Sequence, residues 1–114
     1  MVRIFIEKDE RQRRVVVSAE GHAGCAPKGS DIVCAAVSAL LFGYAKEVAM
    51  MGDRGRLRHA GEINLGGEDG RAHIDVVATD AKAYRRILYH LAPAERALEK
   101  LAEDCPEAVR LERE

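Results

Sequence analysis

The sequence predicts an α+β domain in the order ββαββαβ, two helices packed on a mainly antiparallel sheet. Three observations lead there. Short runs rich in β-branched residues, at 2–7, 14–20, 57–65 and 72–78, fall in pairs separated by charged or glycine-rich segments, as hairpins do. Two longer stretches, from 32 to about 51 and from 81 to about 103, are rich in Ala and Leu and lack that alternation. With 114 residues, 47% of them hydrophobic, the chain forms one domain over 1–114, large enough for a core but not for two.

The first strand sets Val2, Ile4 and Ile6 against Arg3, Phe5 and Glu7, so one face is buried. Residues 8–12 form a charged turn, RVVVSAE (14–20) is the second strand, and Gly21 ends it. Gly24, Pro27 and Gly29 resist regular structure over 23–30. Asp31 can cap the helix that follows, because its carboxylate accepts from a backbone N–H two or three positions on. That helix carries polar residues only at Ser38, Lys46 and Glu47, so it is expected to be covered on most sides by the sheet and by a partner subunit. Gly52, Asp53 and Gly55 stop it. Leu57 opens a strand reaching Leu65, and Gly66, Gly67 and Gly70 turn it toward its mate at 72–78. Thr79 or Asp80 caps the second helix, Pro93 marks a kink or a break within it, and residues 108–112 close the chain as a short strand.

Composition excludes several classes. Lys plus Arg total 18 against 19 Asp plus Glu, a formal charge of −1, which removes the simplest reason to propose nucleic-acid binding. Arg11, Arg13 and Arg14, and again Arg54, Arg56 and Arg58, read as solvated hairpin tips. The charged, alternating N-terminal residues do not read as a secretory signal, and an apolar run of the length of 32–45 is more often a buried core helix than a membrane span. Three cysteines, an odd number, point to a reducing cytoplasm rather than a disulfide framework.

The chemistry concentrates in GHAGCAPKGSDIVCAAVSAL, residues 21–40. With Asp31 as cap, Ile32, Val33 and Cys34 make the first helical turn. A thiol there faces the positive end of the helix, which favours the nucleophilic thiolate. His22 lies twelve residues upstream, across a segment able to fold back, and can serve as general base and acid. The helix start is also placed to hold a developing oxyanion. Asp31 caps the helix, orients the imidazole, or does both. Ser38, one turn beyond Cys34, lies near the sulfur; as a buried hydroxyl it would bond to a backbone carbonyl. His59 and His73 fall on strands and His90 on the second helix, in surface or packing roles. His22, Cys25 and Cys34 lack the paired-cysteine spacing of structural zinc, and no phosphate loop is present, so neither metal nor cofactor is expected.

These residues resemble the ribosomal-processing cysteine protease (Prp) family. GHAG, a short glycine-containing loop and DIVCAAVSAL carry the resemblance most strongly; the opening hairpin and LEKLAEDCPEAVRLE continue it. The resemblance implies a small cytoplasmic bacterial protease, usually a homodimer. Its substrate would be the precursor of large-subunit ribosomal protein number 27, from which it removes an N-terminal extension so that ribosomes assemble. Cys34 would be the nucleophile, His22 the general base and acid, and Asp31 the acidic residue ahead of the nucleophile. Residues 24–30 would correspond to a mobile segment that orders over substrate, with Gly21, Ala23, Gly24 and Ser38 as substrate-binding residues. Cys25 stands where an aromatic, commonly Tyr, is expected, Cys105 replaces a Tyr before Pro, and FGYAKEVAMM departs from the family's polar pattern. Those changes bear on substrate contacts and leave the dyad alone. No direct nucleic-acid or membrane partner is expected. Two other readings remain: a non-catalytic ribosome-associated assembly factor of the same fold, and a redox sensor joining Cys25 to Cys34.

Overall fold

The computed structural model describes residues 1–21, 32–60, 64–65 and 71–114. Its elements are β1 (Val2–Asp9), β2 (Arg14–Glu20), α1 (Ile32–Asp53), β3 (Leu57–Ala60), β4 (Asn64–Leu65), β5 (Arg71–Ala78), α2 (Ala81–Asp104) and β6 (Val109–Arg113). The strands form one sheet in the order β3-β5-β2-β1-β6, with β4 also on β5, and every pairing but β1 with β6 is antiparallel. The α+β expectation holds, and the second strand spans the residues predicted for it. β3 and β4 pair with successive parts of β5, at 76–78 and at 72–73, so the strand expected over 57–65 is seen as two segments.

Antiparallel pairing through β5 makes β3 parallel to β2, and β6 is parallel to β5 by the same reasoning. Parallel strands need a crossover, and each helix supplies one. Both helices contribute to one core with the same face of the sheet. Ile6, Val17 and Ile74 form a continuous row across β1, β2 and β5, all at most 1% exposed. Val37, Leu41, Tyr44, Val48 and Met51 of α1, with Ile87, Leu91 and Leu98 of α2, complete the core.

By length and apolarity the 22-residue α1 resembles a membrane span, but its buried residues make a single stripe packed into this core. The core covers that stripe, and Ile32, Phe42 and Met50 are exposed on the single chain, on the side where the expectation sets a partner subunit. α2 begins where Asp80 accepts from the Ala83 N–H at 2.8 Å. It runs unbroken through Pro93, so the expected break does not occur. Proline denies a donor to the carbonyl four residues back, that of Tyr89, and both residues are exposed, which lowers the cost.

Long-range ion pairs tie the layers together. Glu95 of α2, 8% exposed, accepts from Lys8 Nζ at 2.7 Å and from Arg113 Nε at 2.8 Å, and Arg113 also reaches Glu99. On the other face of the sheet, Arg14 grips Asp75 with two hydrogen bonds, at 2.8 and 2.6 Å, diagonally across β2 and β5. The bonds from Arg14 hold the Asp75 carboxyl below its ordinary value.

Candidate active site

Gly21 closes β2 with φ of +97°, a backbone state that side chains rarely adopt, and a Cβ there would run into the Met1 carbonyl. The residue is thus required by the turn itself, beside the start of β1. Gly21→Ala is expected to cost at least about 1–2 kcal/mol, read as a lower denaturant midpoint. An unchanged midpoint would show that the turn relaxes freely.

Cys34 is the third residue of α1, as the capping argument requires, and its partly buried side chain packs against the core. His22, Ala23, Gly24, Cys25 and Asp31 lie outside the described residues. Among the described residues, topology sets where the end of β2 and the start of α1 lie. The chain leaving α1 is fastened at the Arg14 end of the sheet, where the Arg56 carbonyl accepts from the Thr79 N–H at 3.1 Å and the Ala78 N–H bonds to the Arg13 carbonyl at 2.8 Å. The first turn of α1 therefore points toward the opposite end, where β2 delivers Gly21 and the chain enters His22. The strand end that precedes the imidazole and the turn that bears the thiol share one end of the molecule.

Ser38 is exposed rather than buried, which corrects the expectation of a hydroxyl held inside by a carbonyl. Its exposure one turn past Cys34 leaves it open to a substrate. His59 and His73 are exposed on β3 and β5; His90, on α2, lies 3.8 Å from Glu47 of α1 and edge-on to Tyr89. Cys105 caps α2 through its backbone N–H, bonded to the Leu101 carbonyl at 2.8 Å, and its thiol, like that of Cys34, is not in a disulfide.

One feature near α1 left no signal in the sequence. The Tyr44 hydroxyl is buried and, among the described residues, has no hydrogen-bond partner; burial raises its pKa. Tyr44 lines an apolar groove of about 610 Å³ between α1 and α2, with Leu40, Gly43, Tyr89 and Pro93.

Fold and site together define a small α+β domain with a thiol in the first turn of a crossover helix, the placement that suits a thiol hydrolase. A sequence model of the cysteine protease Prp family matches residues 1–110, and the chain belongs to that family. It is similar to the essential ribosomal processing protease Prp of S. aureus in complex with a covalently linked product peptide: 29% identity, TM-score 0.73, all of both chains covered. The same S. aureus protease with a substrate peptide aligns at 25% identity and TM-score 0.68, again over all of both chains. SMU.848 of Streptococcus mutans, at 23% identity and TM-score 0.67 over 99% of this chain and 93% of that one, shares the fold. Comparison with curated protein sequences finds no match.

Proposed function

We propose that this protein is a cysteine endopeptidase of the cytoplasm that removes the N-terminal extension of large-subunit ribosomal protein number 27. The observation that carries the reading is the placement of Cys34 in the first turn of α1, at the end of the sheet where β2 leads into His22. The Cys34 thiol passes its proton to His22 and its sulfur attacks the scissile carbonyl carbon, and the positive end of α1 favours the negative charge that develops on the carbonyl oxygen. His22 gives its proton to the leaving amine as the C–N bond breaks, which leaves a thioester. Water, giving its proton to His22, attacks the thioester; the acid leaves and the thiol is restored. The covalently linked product peptide in the S. aureus neighbour is the kind of species this chemistry passes through. Asp31 orients the ring or caps the helix, and Gly21, Ala23, Gly24 and Ser38 border the peptide, which lies extended beside them.

The test is incubation with a peptide spanning the encoded start of the host's ribosomal protein, read by mass spectrometry. One cut that leaves the N-terminus found on mature ribosomes supports the reading. An intact peptide, or a host protein with no extension, overturns it in favour of a non-catalytic assembly factor.

We further propose a homodimer joined through α1. Ile32 and Phe42, 83% and 51% exposed, stand on its outer side, and beside Gly43 there is open space. Glu47 and Arg96 mark opposite ends of the adjoining groove, so a two-fold-related copy brings unlike charges together. Phe42→Glu is expected to convert a dimer to a monomer by light scattering; a dimer that persists would place the interface elsewhere.

A further inference from the structure

The two arginine-rich stretches, some forty residues apart in sequence, meet at one end of the sheet. Arg11 and Arg13 belong to the turn between β1 and β2, and Arg54, Arg56 and Arg58 to the turn between α1 and β3 and the strand it opens. The two turns are fastened to adjacent residues, Ala78 and Thr79, at the end of β5. The Ala78 N–H bonds to the Arg13 carbonyl at 2.8 Å, and the Thr79 N–H and hydroxyl both bond to the Arg56 carbonyl, at 3.1 and 3.2 Å. Between the turns lies a cleft of about 410 Å³ lined by Arg11, Gln12, Arg13, Arg58 and His59. The first two turns of α2 add Lys82, Arg85 and Arg86. α2 starts at Ala81, two residues past Thr79, whose carbonyl accepts from the Arg13 guanidinium at 3.5 Å, which places these turns beside the same tip.

All eight cations are exposed, and among the described residues none forms an ion pair. The acids beside them are Asp9, Glu10, Asp53 and Asp80, and two of these are committed to backbone N–H groups, Asp9 to Gln12 and Asp80 to Ala83. Among the described residues, this end thus carries an excess of four positive charges on a chain whose formal charge is −1. The near-neutral total hides two unlike ends.

We propose that this end is a docking surface for the phosphate backbone of double-helical RNA. Seven of the eight cations are arginines, whose forked guanidinium pairs with phosphate through two hydrogen bonds. They project from three segments spread over the sheet edge and the helix layer, with strands about 4.8 Å apart and the layers about 10 Å apart. That two-dimensional spread suits a duplex, which presents phosphates from two strands, better than a linear acidic peptide. The choice of RNA over DNA rests on the reading that the substrate is a ribosomal protein. Along α1 the surface is about 30 Å from Cys34, so docking there leaves the thiol end open to peptide.

The experiment is fluorescence anisotropy of the full chain against a labelled 20-base-pair RNA duplex, the DNA duplex of the same sequence and a labelled poly-glutamate peptide, at 50 and 200 mM salt. RNA is expected to bind best and to weaken about 100-fold between the two salts, as four phosphate contacts require. The pair Arg54→Glu and Arg56→Glu is expected to weaken RNA binding at least about 10-fold and flatten the salt dependence, with circular dichroism and short-peptide cleavage unchanged. The bonds that Arg54 and Arg56 make there use backbone atoms, the two N–H groups to the end of α1 and the Arg56 carbonyl to Thr79, so these side chains are dispensable for folding. No RNA binding at 50 mM salt, equal binding by the charge-reversed protein, or binding of DNA or poly-glutamate as tight as RNA would overturn the proposal. Loss of peptide cleavage in the parent would strike the proposed protease activity instead and leave this surface standing.

Discussion

Cys34→Ala protein is expected to fold normally and to cleave its precursor peptide at least about 10³-fold more slowly than the parent. The two halves of that result separate chemistry from structure. Cys34 is partly buried and small, and alanine is the best helix former, so stability should change by no more than about 1 kcal/mol. Among the described groups at that end of the sheet, Ser38, one turn on, lacks a general base in sequence beside it, and Cys105 follows the C-terminal end of α2 rather than standing at a helix start. Kinetics of purified Cys34→Ala and parent protein, with circular dichroism on each, measure both halves. Cleavage at the parental rate would remove Cys34 from the chemistry.

The largest stability effect is expected from Ile74→Ala. Ile74 is fully buried at the middle of β5, in register with Val17 and so in line with Ile6, beneath both helices. Removing three carbons there loses transfer free energy and leaves a cavity that a sheet hydrogen-bonded on both sides cannot close, a cost of about 2–5 kcal/mol. A domain of this size is stable by about 6–17 kcal/mol, so the melting temperature should fall by roughly 10–20 °C. Val77→Ala, half-buried on the opposite face of the same strand, should cost under about 1.5 kcal/mol. Equal losses from the two would mean that the helices do not seal the face assigned to them.

Local rules were enough to read much of this fold. Alternation at Val2, Ile4 and Ile6 located the buried face of β1, the run RVVVSAE located β2, and the cap of α2 was legible as Thr79 or Asp80, of which Asp80 serves, because capping depends on a residue and its own next turn. The third-residue position of Cys34 in α1 followed from the same kind of local signal. What escaped the sequence depends on residues far apart in the chain. Arg14 meets Asp75 and Lys8 meets Glu95 only because the sheet and α2 bring them together, across 61 and 87 residues. Pro93 was expected to mark a kink or a break in α2, and the break does not occur: tertiary packing of Leu91, Ala94 and Leu98 outweighs one missing hydrogen bond on the exposed side. Ser38 was judged buried because apolar composition does not say which faces of a helix its neighbours will fill. The two arginine groups looked like ordinary turn tips one at a time; their meaning lies in the strand pairing that joins them.

The central claim is that the Cys34 sulfur and the His22 imidazole work as one unit, and thiol alkylation tests it most directly. The parent protein is treated with iodoacetamide at pH 6 and the labelled sites are followed by peptide mass spectrometry. Cys34 should react well before Cys25 and Cys105, and His22→Ala should slow Cys34 toward the rate of the other two while leaving them unchanged. Three thiols labelled slowly and alike, indifferent to His22, would contradict it.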